Sequence, residues 1–411
     1  MIFFFVARSI WLAYIQKQYR LSMPSILLEL KIPREVRRNP RAMEQILMGI
    51  HAIRNSPANF QDKWWDGEVT LTHSLEMVSF GGDIHLYIRI PKKHRHMIEA
   101  IFYSHYPDIE IVEAEDYVNR MPPTLDELEK SGYKLFGSEL KLAKKDAYPI
   151  RTFMEFEEKE EERQLDPISV IFEMLAKIKP QEILWVQTII RPTTDWWKEE
   201  GEKIIRELKE KAKTEITSST GRITWTERTP GEMETMKVIE RNITKPGFET
   251  LVRYIYMAPP DIYDANFGQR AVYSSFNQYA TASLNKFVYN VKVWTRTKIW
   301  YWPFLFPARR LKERRILIYE NYRKRRMYEE LDAPIFSHLF KMRFFHWGIK
   351  AEQFGRMVLN TEEAATIFHL PMFIVLTGPI IKRVEARKVG PPAGLPIYGE
   401  EGDEELPGVK K

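Results

Sequence analysis

Two apolar runs meet at the pair Gly81-Gly82, and that junction limits what the chain can become more than any other stretch. On its far side Ile84, Leu86, Ile88 and Ile90 alternate with His85, Tyr87 and Arg89. A period of two is satisfied by a strand with one buried face. On its near side the region 67–79 carries Leu71, Leu75 and Met77 within a second strand. Adjacent glycines between such runs predict a tight hairpin turn. Upstream, Ile26, Leu28, Leu30 and Ile32 alternate in another strand that Pro33 ends. Asn39-Pro40 then opens a helix in which Met43, Ile46, Leu47, Ile50 and Ile53 recur at helical spacing. A second helix over 94–106 carries Met97, Ile98, Ile101 and Phe102, and a last strand holds Ile109, Ile111 and Val112. The order βαββαβ over 24–118 predicts a ferredoxin-like unit.

The rest of the chain reads as a connector over 119–147 and a second, enlarged unit over 148–348. In the connector, Met121-Pro122-Pro123 breaks structure, Thr124 caps a short helix, and 135–142 alternates as a short strand. The second unit starts with an expected strand over 150–156 and a charged linker, 157–163. A helix behind Asp166-Pro167 and a strongly apolar strand over 183–190 follow. Asp195 caps a long charged helix to about 213, and 216–230 is polar and reads as a mobile loop. A helix over 233–243, a strand over 248–257 and a helix over 267–284 complete a second βαββαβ order with an insert. The expected fold is therefore α+β: two tandem ferredoxin-like units, the second with a helical insertion, between an N-terminal apolar helix and an extended C-terminal tail.

The 411 residues suit two or three domains, and the 44% hydrophobic and 29% charged content is that of a globular chain. No cysteine is present, which removes disulfides, thiolate zinc ligands and a thiol nucleophile. At the N-terminus, 2–15 is apolar apart from Arg8, Ser9 and Tyr14, and Lys17 and Arg20 follow. As a helix this run is ~21 Å long, shorter than the ~30 Å hydrocarbon core of a bilayer. Its aromatic and basic flank nevertheless suits a membrane interface, with the bulk of the chain on the cytoplasmic side. Residues 1–20 are therefore expected to associate with the cytoplasmic membrane, as a short or tilted anchor or the end of a span, against the alternative of a docked core helix. Residues 372–411 are dense in Pro and Gly from 390 to 408, with acidic residues over 400–405, and read as extended and partly disordered.

The segment 349–371 contains VLNTEEAATIFHLP over 358–371. Asn360 or Thr361 suits an N-cap, and Glu362 and Glu363 then fall in the first turn, where the helix dipole favours negative charge. Ala364, Ala365, Ile367 and Phe368 give a short apolar face, His369 follows, and Pro371 stops the helix. The string 359–371, the basic stretch 383–388 and the Pro-rich 391–396 resemble the segment before the motor domain in type IV secretion and conjugative coupling-type proteins of candidate-phyla bacteria. The hairpin region and the helix and strand after it, through 118, also look like that family's accessory domain, whose function is unassigned. The resemblance implies the non-motor part of such a system and a separate motor ATPase as partner. It makes Asn360, Thr361, Glu362, Glu363, Phe368 and His369 candidate partner-binding residues. No phosphate-binding G-x-x-x-x-G-K-[ST] string occurs, so ATPase activity is not implied.

One further stretch suits a ligand. Over 286–326 there are 13 Lys and Arg against two Glu, interleaved with aromatics. Trp300, Trp302, Arg309, Arg310, Arg314 and Arg315 are its candidate contacts. Basic charge beside stacking rings suits single-stranded nucleic acid and, better, an anionic membrane surface, against the alternative of an aromatic core segment with a solvated basic helix over 309–326. The outward residues His85, Tyr87 and Arg89 offer a second, weaker nucleic-acid face, without the aromatic motif of RNA-recognition modules. No catalytic constellation, metal-ligand spacing or cofactor motif emerges. The sequence thus favours a non-enzymatic, membrane-associated accessory subunit, with nucleic-acid binding as the alternative.

Overall fold

The computed structural model describes residues 2–32, 39–156, 166–211, 213–218, 221–226, 229–296, 306–327 and 357–371. The expected linker 157–163, residues 328–356, Trp300, Trp302 and the tail 372–411 lie outside them.

The chain opens with helix α1 (Ile2–Ser22) and strand β1 (Ser25–Lys31). Helices α2 (Pro40–Ala52) and α3 (Phe60–Trp64) lead to strands β2 (His73–Phe80) and β3 (Asp83–Pro91). Helix α4 (Arg95–His105), strand β4 (Glu110–Ala114), helix α5 (Leu125–Lys130) and strand β5 (Lys134–Leu142) follow. Next come α6 (Ser169–Ala176), β6 (Ile183–Pro192), α7 (Trp196–Lys211), the hairpin β7 (Lys213–Ser218) and β8 (Gly221–Thr226), and α8 (Pro230–Thr244). The described chain ends with β9 (Gly247–Ala258), α9 (Ala265–Phe276), β10 (Phe287–Tyr289), α10 (Pro307–Arg323), β11 (Met357–Asn360) and α11 (Thr361–Ile367).

The fold is α+β, built on one antiparallel sheet of nine strands in the order β10-β5-β9-β6-β2-β3-β1-β4, with β11 added to β9. The two halves join edge to edge where β2 pairs with β6, from His73 opposite Ile190 to Phe80 opposite Ile183. In each half the spatial order is fourth, first, third, second strand: β4-β1-β3-β2 on one side and β10-β5-β9-β6 on the other. The β2–β3 hairpin turns at Gly81 and Gly82, both at positive φ. A Cβ on Gly82 would lie 2.8 Å from the carbonyl oxygen of Ala176, so this turn is fixed both by its φ of +95° and by close approach to α6.

Both sheet faces are covered. The larger core gathers Leu28, Met77, Val186 and Val252 from the strands with side chains of α2, α4, α6, α9 and α11. The other face carries Tyr87, Val78, Trp185 and Ile255, roofed by Tyr117, Leu125, Leu128, Ile318 and Tyr322 from the 117–130 region and α10. Strand β6 is buried along its whole length, which explains its nearly unbroken apolar sequence.

Several expectations change. The stretch 150–156 holds no strand, only the 3-10 turn Phe153–Glu155. Its amides go elsewhere: Ile150 N to Glu363 Oε1, Arg151 N to Tyr279 O and Phe153 N to Thr366 Oγ1. The strand that flanks β9 on the side away from β6 is β5, inside the stretch read as connector. The polar region over 216–230, read as a loop, overlaps the antiparallel pair β7–β8, which runs from Lys213 opposite Thr226 to Ser218 opposite Gly221. Helix α9 stops at Phe276 rather than reaching 284. The face of β3 that was expected to point outward is covered: Tyr87 is buried and stacks on Tyr117 at 5.1 Å. It offers no open platform for a base. The N-terminal helix runs through the polar residues to Ser22, and among the described residues no helix is long and apolar enough to cross a membrane.

Candidate functional site

The segment 357–371 is built into the fold rather than laid on it. Strand β11 pairs with β9 from Met357 opposite Thr250 to Asn360 opposite Gly247. It takes the edge of β9 just beyond the last β5 pair, Leu140 with Val252. Asn360 ends the strand and caps α11. Its Oδ1 accepts from Glu363 N at 2.8 Å, while Glu363 Oε2 accepts from Asn360 N at 2.9 Å, a reciprocal capping box. The apolar side of α11 enters the larger core through Ala364, Ala365, Ile367 and Phe368.

The polar side of α11 is fully employed inside the chain. Glu362 accepts from Lys245 Nζ at 2.5 Å, from Arg241 at 2.7 Å and from Thr152. Lys245 also pairs with Glu44 of α2. Asn360 Nδ2 donates to Asn242 Oδ1 at 2.5 Å. His369 places Nδ1 2.8 Å from Ala365 O and Nε2 2.7 Å from Asp166 Oδ1, so both ring nitrogens face acceptors. The two glutamates respond in opposite ways. Burial opposes charge on Glu362, but the bonds from Lys245 and Thr152 and the charge of Arg241 hold its carboxyl below the usual range. Burial dominates at Glu363 and, with Glu362 and Asp146 nearby, pushes its carboxyl up to about 8 against the two amides that favour charge.

This placement answers the expectation for these residues. Asn360, Thr361, Glu362, Glu363, Phe368 and His369 are brought together, as the motif suggested, yet all six are buried within their own chain. They present no docking surface in this fold. They act as a clasp that binds the segment to α2, α8 and the 150–153 stretch.

The basic patch is engaged within the chain only in part. Arg309 pairs with Glu313 at 3.1 Å, Lys312 with Asp126 at 2.8 Å and Arg315 with Glu129 at 3.6 Å. Arg314 Nη1 donates to the carbonyls of Val291, Trp294 and Arg296. Arg310 lies half-buried in the first turns of α10. Arg314 and Arg315 tie α10 to its neighbours, while Arg309 and Lys312 remain exposed in surface ion pairs.

A second polar assembly was not visible from motifs. The registers place Glu29, Tyr87, Glu76, Gln187, Arg253 and Glu139 directly opposite one another in sequence across six strands. Arg253 donates to Glu139 Oε1 from Nε and Nη2 at 2.9 and 2.7 Å. Gln187 Nε2 donates to Glu76 Oε1 at 3.1 Å, Tyr117 Oη donates to Glu76 Oε2 at 2.7 Å, and Arg325 reaches Glu76 from the end of α10. Burial opposes the charge on Glu76, but Arg325 and the surrounding donors hold its carboxyl low. The available signal was a charge inside each apolar strand run: Glu76, Glu139 and Arg253 each interrupt one.

Two more features stand apart. His73 and His94 stack with ring centroids 5.9 Å apart, and among the described residues neither ring nitrogen of buried His73 has a hydrogen-bond partner. A cavity of about 310 Å³ lies among His51, Arg54, Thr193 and Asp195. His51 Nε2 and Arg54 Nη1 both face the Thr193 carbonyl oxygen there, at 3.2 and 3.1 Å. Among the described residues no group of three or more His, Asp or Glu is arranged to hold a metal ion.

A protein-family model described as a domain of unknown function, DUF8128, matches residues 18–376. A search of the curated proteins finds no match.

Proposed function

The chain belongs to the DUF8128 family, whose model spans most of its length, and on that premise we propose that it is a non-enzymatic, membrane-associated accessory subunit of a type IV secretion or conjugation-like machine. Its partner is a separately encoded motor ATPase, and the bulk of the chain faces the cytoplasm. The observation that carries this reading is the clasp at 357–371. A strand pairing, a capping box and the Glu44–Lys245–Glu362 ion pairs fix the segment up to Pro371. The sequence after it, 372–411, carries the basic and Pro-rich stretches by which the chain resembles the segment before a motor domain. The residues first expected to touch the ATPase are buried in the clasp, so the contact falls to other parts of the chain.

The repeated strand order, fourth-first-third-second in both halves, supports reading the sheet as two tandem ferredoxin-like units. The α7 to α8 stretch is then the insertion in the second unit. Such a sheet is a scaffold rather than evidence of chemistry.

The nucleic-acid reading has less support, because two of its candidate contacts, Arg314 and Arg315, are engaged by neighbouring elements of the chain. The deciding experiment is mild crosslinking in native membranes, detergent extraction of the tagged chain and mass spectrometry of what accompanies it. A stoichiometric P-loop ATPase, released by Lys245→Met, is the expected result. Recovery of nucleic acid from a soluble fraction with no ATPase would reverse the assignment.

A further inference from the structure

Helix α1 carries an exposed stripe that the fold leaves uncovered. Positions 4, 7, 11, 14, 18 and 21 recur at alternating steps of three and four and are all exposed. Phe4 is 66% exposed, Trp11 47%, Tyr14 55% and Leu21 70%. Phe60 of α3 and Trp65 just after it add two more exposed rings. The opposite flank of α1 is docked: Ile15 is buried, and its backbone lies so close to Gly67 that a Cβ there would be 2.5 Å from it. At the border between the two sides, Arg8 lies 4.2 Å over the Trp64 ring, and Trp11, itself on the stripe, donates from Nε1 to Trp64 O at 2.8 Å. The helix is thus held along one side and open along the other.

Charge selects the occupant. Helix α1 contains Arg8, Lys17 and Arg20 and no acidic residue. Beside it, Lys63 stands against Asp62, which is used in the α3 capping box, and Asp66. A second copy paired stripe to stripe would set the Arg8, Lys17 and Arg20 cations of one α1 beside those of the other, so self-pairing along the stripe is opposed by like charge. We infer that the α1–α3 face lies on an anionic bilayer surface, with the stripe and the Phe60 and Trp65 rings in the headgroup boundary and the basic side chains against lipid phosphates. Trp and Tyr rings flanked by cations are the composition of a membrane interface. The helix lies on the membrane, consistent with the lack of a long enough apolar window among the described residues. This inference rests on the membrane-associated part of the function proposed above and specifies its lipid and its geometry.

The test is flotation of the full chain with phosphatidylcholine vesicles and with vesicles containing about a third phosphatidylglycerol, at low and high salt. The expected result is binding to the anionic vesicles alone, weakened by salt. The double substitution Tyr14→Ser/Leu21→Ser, and separately Lys17→Glu, should each reduce that binding about tenfold while leaving the melting temperature unchanged, since these side chains are exposed. Absence of binding overturns the inference. Binding that the substitutions leave untouched overturns it too, because the contact then lies elsewhere on the chain. Dimerisation abolished by Tyr14→Ser/Leu21→Ser would overturn it in favour of a second copy. The vesicle assay contains no ATPase, so its outcome is independent of the motor partnership. Vesicle binding without co-purifying ATPase would sink only the machine assignment.

Discussion

Arg325 clamps Glu76 from 249 residues away in the chain, with Nε 2.6 Å from Oε1 and Nη2 3.0 Å from Oε2. It also holds Asp116 at 2.7 and 2.8 Å. The backbone at Arg325 is left-handed, φ +49°, which turns the chain back after α10 and brings the guanidinium onto the sheet. Removing one partner of a buried pair leaves the other charge uncompensated, at a cost of about 3–5 kcal/mol. Arg325→Ala should therefore lower unfolding free energy by that order in urea titrations at neutral pH. Joint replacement, Glu76→Met/Arg325→Met, should recover much of the loss. A single-variant loss below about 1 kcal/mol would contradict the assignment of Glu76 as fully dependent on Arg325.

His73 sets a pH dependence. Burial, with His94 beside it, lowers its ring from the usual 6.5 to about 3. The folded state therefore refuses a proton that the unfolded state accepts below pH 6.5. Stability is complete above that pH and is lost as pH falls toward 3, at up to about 1.4 kcal/mol per pH unit. The urea midpoint of the wild-type chain relative to His73→Phe should fall between pH 7.5 and about 5, and a constant difference would contradict the assignment.

Glu363 acts in the opposite sense. Its folded value of about 8 lies above the usual 4.5, so the folded state keeps a proton that the unfolded state releases. Its contribution is complete below pH 4.5 and is lost as pH rises through 8. Glu363→Gln removes this titration while keeping a residue type used in capping boxes. The variant should gain relative stability between pH 5 and pH 8, read as a rising difference in urea midpoint. Parallel curves would show that the carboxyl stays charged between the amides of Asn360 and Ile150.

Lys245 is the single cation between Glu44 and Glu362 that no strand or cap replaces. Lys245→Met leaves two nearly buried carboxylates facing each other, with only half-exposed Arg241 still on Glu362. A loss of about 2–4 kcal/mol is expected. Hydrogen exchange should show it first in the β11 amides, because these close the clasp. Uniform acceleration across the sheet instead would mean that the clasp is not a separate unit.

Much of the first half was legible before any coordinates. The Gly81-Gly82 turn needs positive φ and tight packing that glycine alone tolerates, so the hairpin announced itself locally. The cap at Asn360 was legible for the same reason, since a capping box closes within four residues. The 150–156 stretch was misread as strand because its apolar residues fit a period of two, while its amides are satisfied by the side chains of Glu363 and Thr366, 213 residues away. In the basic region of α10, composition does not record that Arg314 and Arg315 reach the carbonyls and carboxylates of neighbouring elements while Arg309 and Lys312 stay exposed.

By itself the sequence determined the periodicities, the turns and the caps, and with them the α+β class, because these depend on interactions within a few residues. Only the tertiary structure decided which charges meet. The row from Glu29 to Glu139 exists because strand registers align residues that lie in six separate segments. The clasp residues are buried because α11 finds Glu44, Lys245 and Asp166 from distant elements. A charge interrupting an apolar run signals that a partner is needed, since an unpaired buried charge is too costly to keep. Which residue supplies the partner is fixed by how the sheet closes, and no local pattern encodes it.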